Sequence, residues 1–317
     1  MDNMGMNNCS SSNVSVTPLT LTKSVGDAAV ASAPTRSLRF VMLGCEDHQP
    51  YGPTNHTGAL FMEMITSALE MCDSGKYLWN VSIDIFRVQQ GEYPEDWDAY
   101  VGILLPGSFA AAYEDFPWIE KLKKVIQTEI VPKRRPTLGV CFGHQVFAHS
   151  FDTGKAIKNS DGSRGGRFAM KTTKEGSSFF GGQEAIELYY THGDLVAEVP
   201  SCAVILGQEG PGLPVQAAAY FKDAEEAKQF QSASGSASTK IRPYAVTIQA
   251  HPEYAVSREL GLSFTLQRIL KMMAEKKLLE SEVHEKADKD SIEQFDLVQQ
   301  HSLSAFTAAA KALGWFP

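Results

Sequence analysis

The residue with the clearest chemical potential is Cys141, in the sequence Gly-Val-Cys-Phe-Gly-His-Gln at residues 139–145. An apolar segment at residues 137–140 predicts a strand before it, and a helical pattern follows it. A nucleophile between glycines at a strand-to-helix turn forms an elbow that lifts its side chain above the sheet. The positive end of the following helix favours a thiolate, and the Phe142 amide can donate to an oxyanion. The pattern predicts covalent catalysis by a cysteine.

A cysteine nucleophile needs a general base, and His251 is the candidate. It follows an apolar segment, residues 244–250, that predicts another strand, and Pro252 is expected to end that strand at the carboxyl edge of the sheet. Residues two apart in an extended strand share a face, so we expect Glu253 beside His251. The carboxylate would hold one imidazole nitrogen and leave the other for the cysteine.

Each half of this arrangement also has a structural interpretation. Cys141 alone could be a buried core cysteine, and the His-Pro-Glu segment alone could be a strand terminator with solvated side chains. Two separate strand ends that supply complementary parts of one triad favour the catalytic interpretation.

The elements that must position these residues alternate between strand and helix. This alternation predicts an α/β fold with a doubly wound, mostly parallel sheet flanked by helices. After about residue 165 only short strand-like segments follow, which predicts an antiparallel extension of the same sheet. The predicted strands of the first part are residues 38–43, 81–86, 100–105 and 137–140, with helices at 60–69 and 118–130.

The domain organisation follows from shifts in composition. Residues 1–36 are rich in Ser, Thr, Asn, Val and Ala and predict a disordered N-terminal tail. Residues 37–275 form the predicted domain, with a charged and then Ser/Ala/Gly-rich surface insertion at residues 222–242. Residues 276–317 predict a helical C-terminal extension, which would be a dimer surface, a lid or a solvated helix.

Composition and charge exclude several classes of protein. The chain of 317 residues has a formal net charge of −8, which argues against nucleic-acid binding. No apolar run is long enough for a membrane-spanning helix. The five cysteines include no Cys-x-x-Cys pair, which argues against a disulfide framework or a zinc site and favours a cytoplasmic location. We expect no metal or organic cofactor.

Three segments together resemble the class I glutamine amidotransferases. They are the sequence around the cysteine, Thr-His-Gly-Asp at residues 191–194, and Gln-Ala-His-Pro-Glu-Tyr at residues 249–254. The resemblance spans about residues 38–270 and is to the branch with the glutaminase domain of GMP synthetase and the stand-alone plant γ-glutamyl peptidases. It implies a flavodoxin-like fold and cleavage of glutamine, or of a γ-glutamyl peptide bond, through a thioester.

The resemblance also assigns catalytic roles by motif. Cys141 matches the nucleophile, His251 the acid/base and Glu253 the orienting carboxylate. The oxyanion hole would use the amides of Phe142 and of Ser108, although the loop around Ser108 departs from the Gly-Gly pattern of the family.

Substrate-binding residues follow from the same resemblance. Gln145 matches the family glutamine that contacts the substrate. The His192-Gly193-Asp194 segment matches the stretch that engages the α-amino and α-carboxylate ends of the substrate. A zwitterionic glutamyl head suits such a site, because its ammonium group pairs with a carboxylate and its carboxylate group with amides.

Three hypotheses for function remain open. The first is a self-sufficient peptidase or glutaminase that acts on a small-molecule γ-glutamyl compound. The second is an ammonia-donating subunit whose synthetase partner is a separate chain, because the roughly 47 residues after residue 270 are too few for a synthetase domain. The third is a non-catalytic binding protein of the same fold, against which the intact Cys141, His251 and Glu253 set weighs.

Overall fold

The computed structural model describes residues 17–26, 34–46, 52, 54–73, 76–209, 214–232 and 241–316. Within them, twelve strands form one mixed sheet. The strands are β1 Leu19–Val25, β2 Thr35–Gly44, β3 Leu78–Arg87, β4 Gly102–Leu105, β5 Thr137–Val140, β6 Lys155–Lys158, β7 Arg164–Thr172, β8 Ala185–His192, β9 Asp194–Glu198, β10 Ala203–Gln208, β11 Val215–Tyr220 and β12 Ala245–Ile248.

The helices flank this sheet. The α-helices are α1 Thr54–Asp73, α2 Pro117–Val125, α3 Phe142–His149, α4 Lys174–Phe179, α5 Ala224–Ser232, α6 Gln267–Glu275, α7 Ser281–Glu293 and α8 Phe295–Ala312. Helix α2 continues as a π-helix over Ile126–Ile130, and a second π-helix, Arg258–Leu266, leads into α6. No helix in these parts of the chain is long and apolar enough to cross a membrane.

The order of the strands is β1-β3-β2-β4-β5-β12-β11-β10-β7-β8, with β9 paired to β11 and β6 paired to β9. Strands β3, β2, β4, β5 and β12 are parallel to their neighbours within this group. Strand β1 and the strands beyond β12 are antiparallel. The predicted α/β fold with an antiparallel extension is confirmed, although parallel order is limited to the centre of the sheet.

The central strands are buried because helices cover both of their faces. In β2, Phe40 and Met42 face a core that includes Phe61 of α1 and Phe306 of α8. The alternate residues of β2, such as Val41, face a second core that includes α2 and α3. Strands β4 and β5 are buried at every position, as their continuous apolar sequences predict.

The prediction of a disordered tail over residues 1–36 is wrong for Thr35 and Arg36, which begin β2, and for Leu19–Val25. This segment is the edge strand β1, paired antiparallel with β3 over its whole length. The hydroxyl of Thr20 donates to the Asp84 carboxylate at 2.6 Å, and Val25 is buried. Backbone pairing and alternating side chains stabilise a segment whose polar composition alone argued against structure. Residues 1–16 and 27–33 lie outside the described residues.

Residues 276–316 are mostly helical, as we predicted for the C-terminal extension, but α8 and the residues after it are packed within the core. Helix α8 contacts β8 and α1, and Trp315 lies edge-on to Phe40 with 4.9 Å between ring centroids. Its ring also lies against Gly102, where an added Cβ would come within 2.4 Å of the indole. There is accordingly no break in packing at residue 275. The predicted insertion at residues 222–242 contains helix α5, and its residues 233–240 lie outside the described part of the chain.

Candidate active site

Cys141 lies at a sharp turn between β5 and α3. Its backbone has φ 52° and ψ −107°, a conformation that non-glycine residues rarely adopt. The Cys141 amide donates to the carbonyl of Ile248 at 2.9 Å, which ties the turn to β12. The side chain is nearly buried but reaches a cavity above the sheet. This is the geometry of the nucleophile elbow that the sequence predicts.

The two glycines of the elbow are required by close packing. A Cβ on Gly143 would lie 2.0 Å from the carbonyl oxygen of Leu105, and one on Gly139 would lie 2.8 Å from the carbonyl oxygen of Gly143. Neither glycine has a positive φ. The amide of Gly143 donates to the carbonyl of Pro106 at 3.1 Å, which seats the first turn of α3 against the end of β4. The glycines therefore let the helix approach the strands that hold the cysteine.

His251 and Glu253 come together through a different geometry from the one we predicted. The strand ends at Ile248, not at Pro252, and the chain then enters a 3-10 turn over Pro252–Ala255. This turn, not extended-strand alternation, brings Oε1 of Glu253 within 2.7 Å of Nδ1 of His251. Both side chains are about 1% exposed. The ring of Tyr254 stacks on the imidazole with 4.1 Å between centroids.

The charges around His251 favour its protonated form. Burial alone lowers the pKa, but the negative charges of Cys141 and Glu253 outweigh burial and raise the pKa of His251 to about 10. Cys141 and His251 also meet at Gly107, where an added Cβ would lie 3.0 Å from Cε1 of His251 and 3.7 Å from Cβ of Cys141. Glu253 engages Nδ1, so Nε2 is the ring nitrogen left for Cys141, which raises the pKa of His251 through a hydrogen bond as well as through its charge. That nitrogen is therefore available to exchange a proton with the cysteine or with a substrate.

The loop after β4 forms one wall of the site. The Glu46 carboxylate accepts from the Phe109 amide at 2.8 Å and from the Ser108 hydroxyl at 3.2 Å, and this fixes the loop. Ser108 lines the cavity beside Cys141. Phe142, which follows Cys141, contributes the first amide of α3. The Ser108 and Phe142 amides stay our predicted oxyanion donors.

A cavity of about 480 Å³ opens above the cysteine. Its size is within the range of small-molecule sites. The walls come from the loop after β4, the β6–β7 turn, the β8–β9 turn and the end of α6. The lining residues are Ser108, Phe109, Ala110, Tyr113, Cys141, Gln145, Lys158, Asn159, Gly162, Ser163, Thr191, His192, Gly193, Asp194, Ile269, Met273, Lys277 and Leu278.

Gln145 and His192 converge on one backbone carbonyl. Nε2 of Gln145 donates to the Asp194 carbonyl at 3.1 Å and to Oε1 of Gln249 at 3.2 Å. Nδ1 of His192 lies 2.8 Å from the same carbonyl and must carry the proton, because a carbonyl only accepts. Burial lowers the pKa of His192 to about 3, so its ring is neutral. Its Nε2 is then a buried acceptor without a partner in the described residues.

The Asp194 carboxylate is held at the cavity wall by Tyr113. The phenol of Tyr113 donates to Oδ1 of Asp194 at 2.8 Å. Burial raises the pKa of Asp194, and the hydrogen bond from Tyr113 opposes that effect. A half-buried carboxylate with one oxygen engaged is well suited to bind a cationic group.

The structure brings all the predicted site residues to one place. Ser108, Cys141, Gln145 and the 192–194 segment line the cavity, and Phe142 follows the cysteine in the chain. His251 interacts with both Cys141 and Glu253. The sequence did not identify Tyr113, Lys158 or the α6 residues, which no local motif marks. Within the described ranges, no group of three or more His, Cys, Asp and Glu side chains could hold a metal ion.

The chain belongs to the class I glutamine amidotransferase family. The sequence model of that family matches residues 61–265. Gamma-glutamyl peptidase 2 of Arabidopsis thaliana is 30% identical over 217 residues, which is 67% of this chain and 75% of that protein. A GMP synthase of Ligilactobacillus salivarius is 26% identical over 187 residues, 56% of this chain and 33% of that protein. These relationships support an amidohydrolase of the glutamine amidotransferase type.

Solved structures agree with this assignment of the fold. A glutamine amidotransferase from Thermotoga maritima superposes with a TM-score of 0.56 at 18% identity, over 86% of this chain and 98% of that one. A second, from Methylobacillus flagellatus, gives a TM-score of 0.55 at 14% identity, over 87% of this chain and 95% of the other.

Proposed function

We propose that this protein is a thiol hydrolase that cleaves γ-glutamyl amide bonds, with Cys141 as nucleophile, His251 as acid/base and Glu253 as orienting carboxylate. The observation that carries the proposal is the buried pair of His251 and Glu253, 2.7 Å apart, next to a cysteine on a strained elbow at the floor of a cavity. Such a constellation suits acyl transfer better than any other reaction class.

In the first half of the reaction, the thiolate of Cys141 attacks the γ-carbonyl carbon of the substrate. A C–S bond forms, and the carbonyl oxygen takes the negative charge, which the Phe142 and Ser108 amides stabilise. Protonated His251 then gives its Nε2 proton to the leaving nitrogen. The C–N bond breaks, ammonia or an amine leaves, and a thioester remains on Cys141.

In the second half, water hydrolyses the thioester. Neutral His251 takes a proton from the water while the water oxygen attacks the thioester carbon. The C–S bond breaks, glutamate leaves, and the thiolate of Cys141 and the imidazolium of His251 are restored. Glu253 accepts the Nδ1 proton of His251 in a hydrogen bond throughout, which holds the ring in one tautomer.

The substrate class we propose is a γ-glutamyl amide, either glutamine or a γ-glutamyl peptide. The gamma-glutamyl peptidases among the relatives support the peptide. The cavity supports it as well, because it continues from Cys141 to the apolar side chains of Met273 and Leu278, where the amine part of a peptide would lie.

The test is glutamate release by the purified protein from glutamine, from glutathione and from a glutathione conjugate. We expect turnover of at least one of them, and its loss in Cys141→Ala. Turnover that survives this substitution would contradict the assignment of the nucleophile. Absence of turnover on all three substrates, together with a Cys141 that resists alkylation near neutral pH, would favour a non-catalytic binding protein.

An ammonia-donating subunit with a separate synthetase partner is the second candidate. It is favoured by the similarity to a GMP synthase and by the loop after β4, in which Glu46 already engages the Phe109 amide. An enzyme of this kind would release no glutamate from any of the three substrates, although Cys141 would still be rapidly alkylated. Addition of the partner would then restore glutamate release.

A further inference from the structure

Lys158 and Asp194 carry opposite charges at directly opposed positions of the sheet. They are Cα partners in the antiparallel pair of β6 and β9, so their side chains lie on the same face. Both line the cavity above Cys141. No ion pair joins them in the described residues, although the charge of Lys158 acts on Asp194 and lowers its pKa. The wall therefore presents one positive and one negative group, side by side and not neutralised by a direct contact.

The Asp194 carboxylate and the Lys158 ammonium differ in burial and in hydrogen bonding. Asp194 is half-buried, and its Oδ1 accepts from Tyr113 at 2.8 Å. Lys158 is exposed and has no salt-bridge partner within the described chain. Its flexible ammonium group can therefore turn to an anion inside the cavity at little cost.

We propose that Lys158 binds the α-carboxylate of the γ-glutamyl head, next to Asp194, which the family resemblance already implies for the α-ammonium. The inference rests on the proposed function and adds to it one specificity-determining residue, Lys158. A γ-glutamyl compound carries an ammonium and a carboxylate on one carbon, and two opposed side chains on adjacent strands match that arrangement. Compounds that lack either charge leave one side chain unpaired.

A second lysine in the cavity is the competitor for the carboxylate. Lys277 follows α6 in a left-handed backbone conformation, φ 57°, and lies next to Leu278 at the end of the cavity formed by the C-terminal elements. Lys277 follows α6 and is not paired with Asp194 in the sheet, whereas Lys158 is its direct cross-strand partner. We therefore assign Lys277 to the side of the leaving amine and Lys158 to the glutamyl head.

The experiment compares three anilides that share the scissile bond. γ-Glutamyl anilide carries both head charges, 4-aminobutanoyl anilide lacks the carboxylate, and glutaryl anilide lacks the ammonium. The readout is the ratio of kcat/KM for γ-glutamyl anilide to that for each truncated compound. We expect Lys158→Met to lower the ratio to 4-aminobutanoyl anilide by roughly 10- to 100-fold, the value of one charged hydrogen bond. Lys158→Arg should retain most of the wild-type ratio.

Two further variants separate this subsite from general charge effects. Lys155→Met removes an exposed lysine from the same strand, outside the cavity, and should leave the ratio at the wild-type value. Lys277→Met should change it less than threefold. A wild-type ratio in Lys158→Met, or a larger fall in Lys277→Met, would overturn the assignment.

The failure of the proposed function would leave a separate signature. If no anilide is hydrolysed in a Cys141-dependent way, calorimetric binding of glutamate, 4-aminobutyrate and glutarate to the Cys141→Ala protein tests the subsite alone. Preference for glutamate that Lys158→Met removes would support the subsite without the chemistry. Equal binding of all three would overturn the subsite as well.

Discussion

The Nδ1 atom of His251 lies 2.7 Å from Oε1 of Glu253, and both side chains are buried. The other carboxylate oxygen, Oε2, has no partner among the described residues, so the carboxylate's only described hydrogen bond is to the imidazole. A buried carboxylate of this kind both orients the ring and raises its pKa.

The first prediction concerns Glu253→Gln. Loss of the carboxylate lets the ring adopt the wrong tautomer, so we expect kcat to fall by about 10²- to 10⁴-fold. The charge of Glu253 helps to raise the pKa of His251 to about 10, and its removal lowers that pKa. Protonated His251 exists below its pKa, so the alkaline fall in kcat/KM should move to lower pH. A pH profile checks this.

Glu259→Gln is the matched control, because Glu259 is an exposed carboxylate on the following helical segment. Its profile should match that of the wild-type enzyme. If the alkaline fall in kcat/KM of Glu253→Gln occurs at the same pH as in the wild-type enzyme, the carboxylate does not govern the titration of His251.

The second prediction concerns the close approach at Gly143. An added Cβ would lie 2.0 Å from the carbonyl oxygen of Leu105, so Gly143→Ala must displace α3 from β4. We expect a loss of about 3 kcal/mol in the free energy of unfolding, together with loss of activity. Gly181→Ala is the comparison, since Gly181 has φ +71° but nothing within 4 Å of an added Cβ. It should cost only about 1 kcal/mol. Equal losses in urea titrations would contradict the packing argument.

The third prediction concerns the hydrogen bond between Tyr113 and Asp194. This bond lowers the pKa of Asp194, which burial raises, so Tyr113→Phe should raise that pKa further. The ionised form of Asp194 is present above its pKa. We therefore expect KM for a γ-glutamyl substrate to rise severalfold, and the acid limb of 1/KM to shift to higher pH. Values of kcat should change little, because the hydrogen bond of Tyr113 is to Asp194 and not to Cys141, His251 or Glu253.

Tyr93→Phe is the control for this experiment. Its hydroxyl has no hydrogen-bond partner within the described residues and does not line the cavity. It should leave KM and its pH dependence as they are. A Tyr113→Phe variant with the same acid limb as Tyr93→Phe would separate Tyr113 from substrate binding.

The fourth prediction concerns stability at acid pH. Nε2 of His144 donates to the Val215 carbonyl at 3.0 Å, and burial lowers the pKa of this histidine from 6.5 to about 4. Its contribution to stability is complete above pH 6.5 and is lost as the pH falls toward 4. His144→Gln keeps a donor but cannot titrate. Between pH 6.5 and 5, we expect the free energy of unfolding of this variant to fall by about 2 kcal/mol less than that of the wild-type protein.

Urea unfolding at a series of pH values measures this difference. His284→Gln, on helix α7, is the comparison for the loss of a histidine outside the core. Equal pH slopes for His144→Gln and wild-type protein would mean that His144 does not titrate in this range.

Much of the candidate site was predictable because its signals are local. The strand before Cys141 is continuously apolar, and the two glycines around the cysteine mark an elbow. The His-Pro-Glu segment follows another apolar strand. Parallel neighbours β5 and β12 then place the two segments together, with Val140 beside Ile248 in the register.

Composition predicts disorder for the segment that forms the edge strand β1, whereas the pattern of its residues is that of a strand. Residues 19–25 alternate Leu, Thr, Leu, Thr, Lys, Ser and Val, which is the period of a strand with one face inward. The segment is stabilised by pairing with β3, some sixty residues away along the chain. The composition of a short segment cannot predict such a long-range contact.

The remaining site residues were out of reach for a related reason. Tyr113, Lys158 and Met273 lie in three different segments and meet only through the tertiary fold. Each looks like an ordinary surface or core residue in its own segment. The 3-10 turn at Pro252–Ala255 was missed as well, because a proline after a strand is equally compatible with several turns.

The C-terminal wall of the cavity has a consequence for divergence within the family. The match to the family ends at residue 265, whereas Ile269, Met273, Lys277 and Leu278 help to enclose the space above the cysteine. Under the proposed function, we expect substitutions in this wall to change which leaving group fits, without disturbing the elbow or the His251–Glu253 pair. Selectivity can therefore evolve in the C-terminal wall, and reactivity separately in the elbow and the His251–Glu253 pair.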